Sequence, residues 1–217
     1  MWGSESERRA FGEIWPLWYG EAAVRDRRRA VRRLRLLADQ GYAPAQFALG
    51  WAYFDGDGVR RDYTKSFEYF MAAAGQGYPG AEGMVGNFYV TAKPAHKACD
   101  YNPEESARWH RRAAEHGNCG AQYNLAFACW TGRGVDKDAA EAYVWASLSI
   151  HCSSLRNRMA EALRDDAWAI LAPEQMAAAD RRVAELKLDL PRPWSEPMGY
   201  WRLLAERAGV FKPSGDT

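Results

Sequence analysis

Small and apolar residues recur at helical spacing in three consecutive segments of the chain, which begin at Gly41, Gly77 and Gly117. Each segment opens with Gly-x-x-x-Ala, and four residues after the alanine an apolar residue precedes a small one. These pairs are Leu49–Gly50, Val85–Gly86 and Leu125–Ala126. Spacings of three and four residues place such positions on one face of an α-helix. Each segment is therefore predicted to begin with an amphipathic helix.

A second helix is predicted in each segment after a loop. It carries a small residue near its start and an aromatic residue three positions later: Ser66 and Tyr69, Ser106 and Trp109, Ala142 and Trp145. Small residues allow two antiparallel helices to approach closely, and a turn containing glycine reverses the chain between them. Because one helix pair cannot bury its own apolar face, such pairs stack in a row. The sequence predicts an all-α solenoid of antiparallel helix pairs, with about nine or ten helices and no sheet.

The same pattern predicts the limits of the units. We expect the solenoid to occupy residues 1–190, and a proline-rich tail with a short terminal helix to occupy residues 191–217. Pro16 is expected to interrupt the first helix, because proline lacks a backbone donor. The tail is expected to cover an end of the solenoid or to join two copies of the chain as a dimer. Four units and a pair of capping helices are predicted at about 5–40, 41–76, 77–116, 117–150 and 153–189.

The repeated unit reads A-Q-x-x-L-G-x-x-Y-x-x-G-x-G-V-x-x-D, and the helix after it ends A-A-x-x-G. This pattern resembles the Sel-one-like repeat family, relatives of the tetratricopeptide repeats, and the likeness extends from Gly41 to about Ile150. The resemblance implies a right-handed, tetratricopeptide-like superhelix and a role as a bacterial adaptor, scaffold or signalling protein. Among compact members it also implies an immunity protein or a chaperone for a secreted toxin. The loop Thr91–Asn102 and Cys129, at a tyrosine position, depart from the pattern.

Composition narrows the class of protein. The chain of 217 residues is 47% hydrophobic and 13% aromatic, which is typical of a folded protein. Its formal net charge of +1 leaves no overall field that would attract nucleic acid or an anionic membrane. No apolar run approaches the length of a membrane-spanning helix, and the first residues lack the apolar core of a secretory signal. We therefore expect a cytoplasmic protein without a membrane partner, whose four cysteines are reduced and mostly buried thiols.

No motif in the sequence indicates catalysis. None of the four histidines stands beside a serine or cysteine in a nucleophile motif, and His116 is expected to meet carbonyls at a helix end. His96 and Cys99 are a conceivable ligand pair, but a solvated loop is favoured because no second pair follows at fixed spacing. The turns GDGV and GRGV lack the preceding strand of a phosphate-binding loop. We predict a non-catalytic protein without cofactor or metal, with a hydrolase carried on the solenoid as an alternative.

An aromatic stripe on the first helices is the main candidate for partner binding. Its members stand at i, i+4 and i+7 in the first and third segments, and a smaller residue, Asn87, takes the middle place in the second. They are Phe47, Trp51, Phe54, Tyr123, Phe127 and Trp130. The family resemblance places this stripe on the concave surface, as an aromatic groove that receives part of another protein. The competing interpretation is that these rings pack between helices.

Arginines dominate one face of the segment Arg25–Arg35, and its apolar residues fall on the other. One interpretation is a solvated surface at the end of the solenoid. The other is a docking face for an acidic protein or a phosphate backbone, with Arg28, Arg32 and Arg35 as contact residues. The small net charge favours a protein over nucleic acid. The predicted partner is thus another protein, for which a toxin or a component of a secretion system is one possibility.

Overall fold

Ten α-helices follow one another in a computed structural model that describes residues 3–19, 24–91, 98–152 and 157–190, apart from the side chains of residues 15–26. They are α1 (Glu5–Tyr19), α2 (Val24–Asp39), α3 (Ala43–Asp55), α4 (Tyr63–Gly75), α5 (Pro79–Val90), α6 (Pro103–Glu115), α7 (Cys119–Thr131), α8 (Ala139–Cys152), α9 (Arg158–Ala169) and α10 (Pro173–Asp189). No strand occurs within these described ranges. The predicted all-helical fold is confirmed.

The helices pack mainly on their neighbours in the chain, so the pairs stack in a row. The closest associations are α3 with α4, α5 with α6, and α7 with α8. We refer to these pairs as the first, second and third repeats, with α3, α5 and α7 as the first helices. At the end of the row, α10 folds back onto α8. This arrangement buries each helix pair against the next one, as a solenoid requires.

Apolar side chains form three consecutive clusters along the stack. The first joins α1, α2 and α3 and contains the apolar face predicted for the arginine-rich helix. The second joins α3, α4 and α5 around Phe70 and Val85. The third joins α6, α7 and α8 to the capping helices around Trp145, whose side chain is 2% exposed. The residues of the arginine helix that enter the first cluster are Ala30, Val31, Leu34, Leu37 and Ala38.

Glycines lie at the close crossings within the first two repeats. A Cβ atom on Gly50 would stand 2.5 Å from the Phe70 ring, and one on Gly86 would stand 2.7 Å from the His110 ring. The hydroxyl of Ser66 donates a hydrogen bond of 2.7 Å to the Gly50 carbonyl. The prediction that these glycines mark close approaches between helices is confirmed.

The repeated Gly-x-Gly sequences form the turns inside the first and third repeats. Both glycines of each turn have positive φ, for example 72° at Gly132 and 74° at Gly134, and glycine adopts this conformation most easily. The second glycine of each turn also lies against the preceding unit. Gly58 approaches the backbone of Arg27, and Gly134 approaches the backbone of Pro103. These loops are structural turns that connect the two helices of a repeat and also pack against the preceding unit.

Two expectations about the chain's course have different outcomes. Helix α1 runs from Glu5 to Tyr19, so the predicted interruption at Pro16 is wrong. A proline removes only one backbone donor, and the helix continues through it. The proline-rich tail at residues 191–217 and half of the loop Thr91–Asn102, including His96, lie outside the described residues. The roles predicted for the tail therefore stay predictions.

The cysteines depart from the sequence prediction. Cys119 and Cys152 form a disulfide bond, with Cα atoms 5.5 Å apart, so the expectation that all four cysteines are reduced is wrong for this pair. The antiparallel packing of α7 and α8 brings the start of one helix beside the end of the other, although 33 residues separate the cysteines. Cys99 and Cys129 are free thiols. Burial raises the pKa of Cys129 to about 11, which keeps its thiol protonated.

Replacing Cys119 with serine should lower the free energy of unfolding by roughly 2–4 kcal/mol, because the unfolded chain is no longer restrained by a closed loop of this length. Urea unfolding without reductant measures the effect, and Cys99→Ser is the matched control that leaves the disulfide intact. In denaturant, a thiol titration of the unreduced wild-type chain should find two free thiols. Four free thiols would contradict the disulfide.

Candidate partner-binding surface

The aromatic stripe divides into a buried part and an accessible part. Phe47 and Trp51 are each 7% exposed, so these two rings do not line the open aromatic groove expected from the sequence. The Trp51 ring centre lies 5.7 Å from that of Phe70 and 5.4 Å from that of Phe54. Phe47 also packs on Tyr78, with ring centres 5.0 Å apart. These two rings fill the junction between the first and second repeats, as the competing interpretation proposed.

Phe54, the third member of the stripe on α3, is half-buried. Its ring centre lies 5.4 Å from that of Tyr63 and 5.9 Å from that of Phe88 on α5. It therefore stands at the edge of the second cluster. The first repeat offers little of its aromatic stripe to a partner.

In the third repeat, one of the three equivalent residues is accessible. Phe127 on α7 is 41% exposed, a high value for a phenylalanine in a folded protein. Tyr123 and Trp130, one turn away on either side, are half-buried against the third cluster. Lys137 places its ammonium nitrogen 5.4 Å from the Trp130 ring centre. Phe127 thus stands exposed between two half-buried aromatic residues of the same helix.

A pair of amides connects the middle of the stripe to the third repeat. Asn124 on α7 donates a hydrogen bond of 3.1 Å from Nδ2 to the Asn87 Oδ1 on α5. The sequence analysis missed Asn124. The signal was that this position is polar only in the third repeat, since the equivalent residues of the other repeats are Ala48 and Met84. Because Phe127 follows Asn124 by three residues, the amide and the ring share one side of α7. We call Asn87, Tyr123, Asn124, Phe127 and Trp130 the α5–α7 face.

A buried carboxylate lies within the second repeat. Glu82 on α5 is fully buried, and its two oxygens lie 3.0 Å from Arg112 Nη2 and 2.7 Å from His116 Nδ1. His116 is the C-cap of α6, as predicted, but its ring contacts this carboxylate instead of helix carbonyls. The equivalent residues Gln46 and Gln122 each donate to a backbone carbonyl at 3.3 Å. The second repeat therefore replaces a neutral amide with an ionic cluster that joins α5 to α6.

His110 on α6 is buried beneath Gly86 and takes the place of Phe70 in the first repeat. Burial lowers the pKa of its imidazole to about 4. As the pH falls from about 6.5 towards 4, the unfolded chain binds a proton at this histidine before the folded chain does. The contribution of His110 to the free energy of unfolding is therefore present at neutral pH and is lost as the solution becomes acidic.

The free energy of unfolding should decrease by roughly 2–3 kcal/mol between pH 7 and pH 4 on account of His110 alone. Urea unfolding of wild type and His110→Phe at both pH values isolates this contribution, since phenylalanine occupies the equivalent position in the first repeat. The variant should lose less stability in acid than the wild type does. Equal losses in the two proteins would show that His110 is not the responsible group.

The arginine helix presents only some of its predicted contact residues. Arg28 and Arg32 are exposed. Arg35 is half-buried and donates a hydrogen bond of 2.7 Å to the hydroxyl of Tyr53. Arg27 and Arg33 form ion pairs with Asp57 and Glu13, at 2.9 and 3.0 Å respectively. Internal pairing reduces the positive charge that this helix offers to a phosphate backbone.

A groove between α8, α9 and α10 contains the residue types of a hydrolase. It has a volume of about 680 Å³, and its lining includes Ser147, His151, Asp165 and Asp180. The Ser147 hydroxyl oxygen is buried, however, and the two carboxylates accept hydrogen bonds from Arg164 and from the Tyr143 hydroxyl. This arrangement lacks an accessible nucleophile beside a base, which covalent catalysis requires. That the protein is not an enzyme stays a prediction.

No group of three or more histidine, cysteine, aspartate or glutamate side chains among the described residues is placed to hold a metal ion. Likewise, none of the described helices combines the length and hydrophobicity needed to cross a membrane.

Stacked, repeated helix pairs with an exposed aromatic side chain on one first helix define an α-solenoid of the protein-interaction class. Residues 43–78, 97–118 and 120–153 match the Sel1 repeat family, and the chain is a Sel1-like repeat protein. The predicted resemblance is confirmed. The match resumes at residue 97, so α5, the first helix of the second repeat, lies outside the matched residues, unlike α3 and most of α7.

Two solved structures have a similar fold. A Sel1 repeat protein from Oxalobacter formigenes superposes with a TM-score of 0.65 at 25% identity, over 82% of this chain and 72% of that one. The protective antigen c5321 of uropathogenic Escherichia coli, which has the SLR fold, gives 0.55 at 21% identity, over 97% and 50%. This second likeness shows the fold alone.

Two curated relatives are fungal regulators of chitin synthase. Chitin synthase regulator SKT5 of Malassezia restricta is 27% identical over 161 residues, or 73% of this chain and 11% of its own length. Chitin synthase regulatory factor 3 of Schizosaccharomyces pombe is 32% identical over 128 residues, or 58% of this chain and 13% of its own length. The chain therefore spans only about a tenth of each regulator.

Proposed function

We propose that this chain is a non-catalytic scaffold that binds a partner protein through the α5–α7 face, on the concave side of the solenoid. The observation that carries the proposal is the 41% exposure of Phe127 on a helix whose other aromatic residues are held by neighbours. Exposed aromatic rings on rigid elements are frequent anchors of protein interfaces. A fold of stacked helices supports such an anchor without ordering on binding.

The neighbours of Phe127 supply the remaining parts of an interface. Tyr123 and Trp130 extend the apolar surface along α7, and the Asn87–Asn124 pair adds amide groups beside it. An apolar centre flanked by polar groups is the usual composition of a protein-binding patch. The fixed amide pair aids specificity because a partner that leaves its own polar groups unpaired there binds poorly.

The curated relatives support a regulatory form of this function. Both are named as regulators of an enzyme, and the likeness covers 73% and 58% of this chain. A regulator acts by binding another protein, which agrees with a non-catalytic scaffold. Because the shared region is a small fraction of each relative, chitin synthase itself is not carried over as the partner.

Phe127→Ala tests the proposal. The wild-type chain is used to isolate its partner from the source cells, and the affinity of each variant for that purified partner is measured by calorimetry. Phe127→Ala should weaken binding by about tenfold or more and leave the helical content unchanged. Met159→Ala, at an exposed residue of α9, is the control and should bind as wild type does. Unchanged affinity for Phe127→Ala would refute a binding role for the α5–α7 face.

The roles of immunity protein and toxin chaperone are finer forms of the same proposal. They require that the partner be a secreted toxin or a component of its secretion system. Mass spectrometry of proteins that co-purify with the chain tests them: a stoichiometric toxin supports these roles, and a set of partners without one removes them while leaving the scaffold function in place.

Cytoplasmic localisation also remains a proposal, and the Cys119–Cys152 disulfide bears on it. Disulfides persist mainly in oxidising compartments. Intact cells treated with an alkylating reagent before lysis would decide the question. Alkylated Cys119 and Cys152 support the cytoplasm, whereas protection of both cysteines until reduction supports an oxidising compartment.

A further inference from the structure

We propose that a basic groove in the first repeat binds an acidic segment of a partner protein through the carboxylates of that segment. The groove lies between α2, the end of α3 and the start of α4, with a volume of about 700 Å³. We define it by Arg35, Tyr53, Arg60, Arg61 and Lys65, and call it the first-repeat groove. The inference rests on the proposed function in one respect, since its ligand belongs to a protein.

An anchored aromatic ring positions two of the cations. Tyr53 stacks on Tyr69 with ring centres 5.6 Å apart and an angle of 12° between the planes. The Arg35 guanidinium carbon lies 5.9 Å from the Tyr53 ring centre and the Lys65 ammonium nitrogen 5.6 Å from it. Arg35 is held further by its hydrogen bond to the Tyr53 hydroxyl. The charges are therefore held in place before any ligand arrives, which lowers the entropy lost on binding.

The lining of the groove contains more positive than negative charge. Its one carboxylate belongs to Asp62, which caps α4 by accepting a hydrogen bond of 3.0 Å from the Lys65 backbone and also lies 3.9 Å from the Lys65 ammonium nitrogen. Arg60 and Arg61 are exposed on the loop. Arg61 donates a hydrogen bond of 3.1 Å from Nη2 to the backbone carbonyl of Asp55. One carboxylate does not neutralise four cations, so the groove attracts anions.

The third repeat shows that the turn itself does not need these cations. It has the same Gly-x-Gly turn, but Asp136 replaces Arg60 and Glu141 replaces Lys65. There Glu141 is engaged by Arg182 at 3.1 Å and by Arg111 at 3.8 Å. The same backbone thus carries basic side chains at two positions in the first repeat and acidic ones there in the third, while Arg61 is matched by Lys137. The cations Arg60 and Lys65 of the first-repeat groove are therefore not needed to form the turn.

Carboxylates fit this groove better than a nucleic acid does. A phosphate backbone needs positive charge that continues along the surface. Here Arg27 and Arg33 on α2 are paired with Asp57 and Glu13, and the equivalent turn of the third repeat carries as many acidic as basic side chains. Guanidinium groups bind carboxylates through paired hydrogen bonds, and a groove of this size accommodates a few acidic side chains. The ligand is therefore a short run of aspartate or glutamate residues.

The test measures binding of a fluorescein-labelled peptide of eight glutamates by fluorescence anisotropy at low and at physiological salt. Wild type should bind it, more weakly at higher salt. The double variant Arg60→Glu, Arg61→Glu should bind at least about tenfold more weakly. The control Arg133→Glu, Lys137→Glu changes the net charge equally on the third-repeat turn and should stay within about twofold of wild type. Circular dichroism and thermal melting check that both variants fold.

The milder variant Lys65→Gln, which removes one cation without adding a negative charge, should also weaken binding if the first-repeat groove is the site. Equal losses in the two double variants would overturn the proposal, because they would indicate a general charge effect. Absence of peptide binding by the wild type would overturn it as well. So would tighter binding of a twelve-residue thymidine oligonucleotide that displaces the peptide.

Phe127→Ala separates this inference from the proposed function. That variant should bind the glutamate peptide as wild type does, since Phe127 lies on α7 and outside the first-repeat groove. Loss of partner affinity in Phe127→Ala with normal peptide binding supports both surfaces independently. Normal partner affinity in that variant would refute the α5–α7 face and leave the peptide result to decide the groove.

Discussion

Replacing Gly134 with alanine should lower the free energy of unfolding by roughly 3–5 kcal/mol, although only one methyl group is added. The glycine has a φ of 74°, which a residue with a Cβ adopts only with strain. Its Cβ would also collide with the backbone carbonyl of Pro103 at the start of α6. That carbonyl belongs to a helix in the preceding repeat and cannot move without disturbing the stack.

Gly132→Ala is the matched control for this prediction. Gly132 has nearly the same φ, 72°, but its Cβ would find the nearest heavy atom 3.5 Å away. The control should therefore show the conformational strain alone, about 1–2 kcal/mol. Urea unfolding of both variants gives the difference that arises from the contact between repeats. Equal destabilisation by the two substitutions would show that the turn does not press on α6.

The repeat pattern predicted the helices because it depends on local spacing. The close approaches at Gly50 and Gly86 followed from the small residues that recur at those positions. In the structure, the side-chain ring of the partner helix packs directly against each glycine. The turns with positive φ followed from Gly-x-Gly in the same way. Each of these features is determined by residues within one helix pair, so a single sequence is enough to predict it.

Burial of the aromatic stripe was not predictable from spacing, since it depends on residues of other helices. Trp51 packs on Phe70, which fits under Gly50. In the third repeat, alanines occupy the two positions equivalent to Gly50 and Phe70, so Phe127 has no such ring beneath it. Trp51 and Phe127 occupy equivalent positions on the first helices, but whether the ring is buried depends on the residues of the second helix.

Two other features depend on tertiary contacts in the same manner. The Cys119–Cys152 disulfide forms because two antiparallel helices place their opposite ends together, and the spacing of the cysteines follows no familiar motif. Glu82 stands where the other repeats have glutamine, and this substitution was the available signal for the ionic cluster with Arg112 and His116. A comparison of equivalent positions among the repeats would have found it.

Trp51→Ala should lower the free energy of unfolding by roughly 3–5 kcal/mol, which is the expected effect of removing a large buried ring and leaving a cavity. The Trp51 side chain is 7% exposed and contacts the rings of Phe47, Phe54 and Phe70. Those rings lie at the junction of the first two repeats, so the cavity would weaken the contact between them. Urea unfolding followed by circular dichroism measures the loss.

Phe127→Ala is the informative control because Phe127 is the equivalent residue of the third repeat and is 41% exposed. It should change the free energy of unfolding by less than about 1 kcal/mol, since most exposed substitutions have small effects on stability. The two substitutions thus separate folding from binding at one position of the repeat: Trp51→Ala should destabilise the protein, and Phe127→Ala should weaken partner binding. A stable Trp51→Ala variant with reduced partner affinity would instead place Trp51 in the interface.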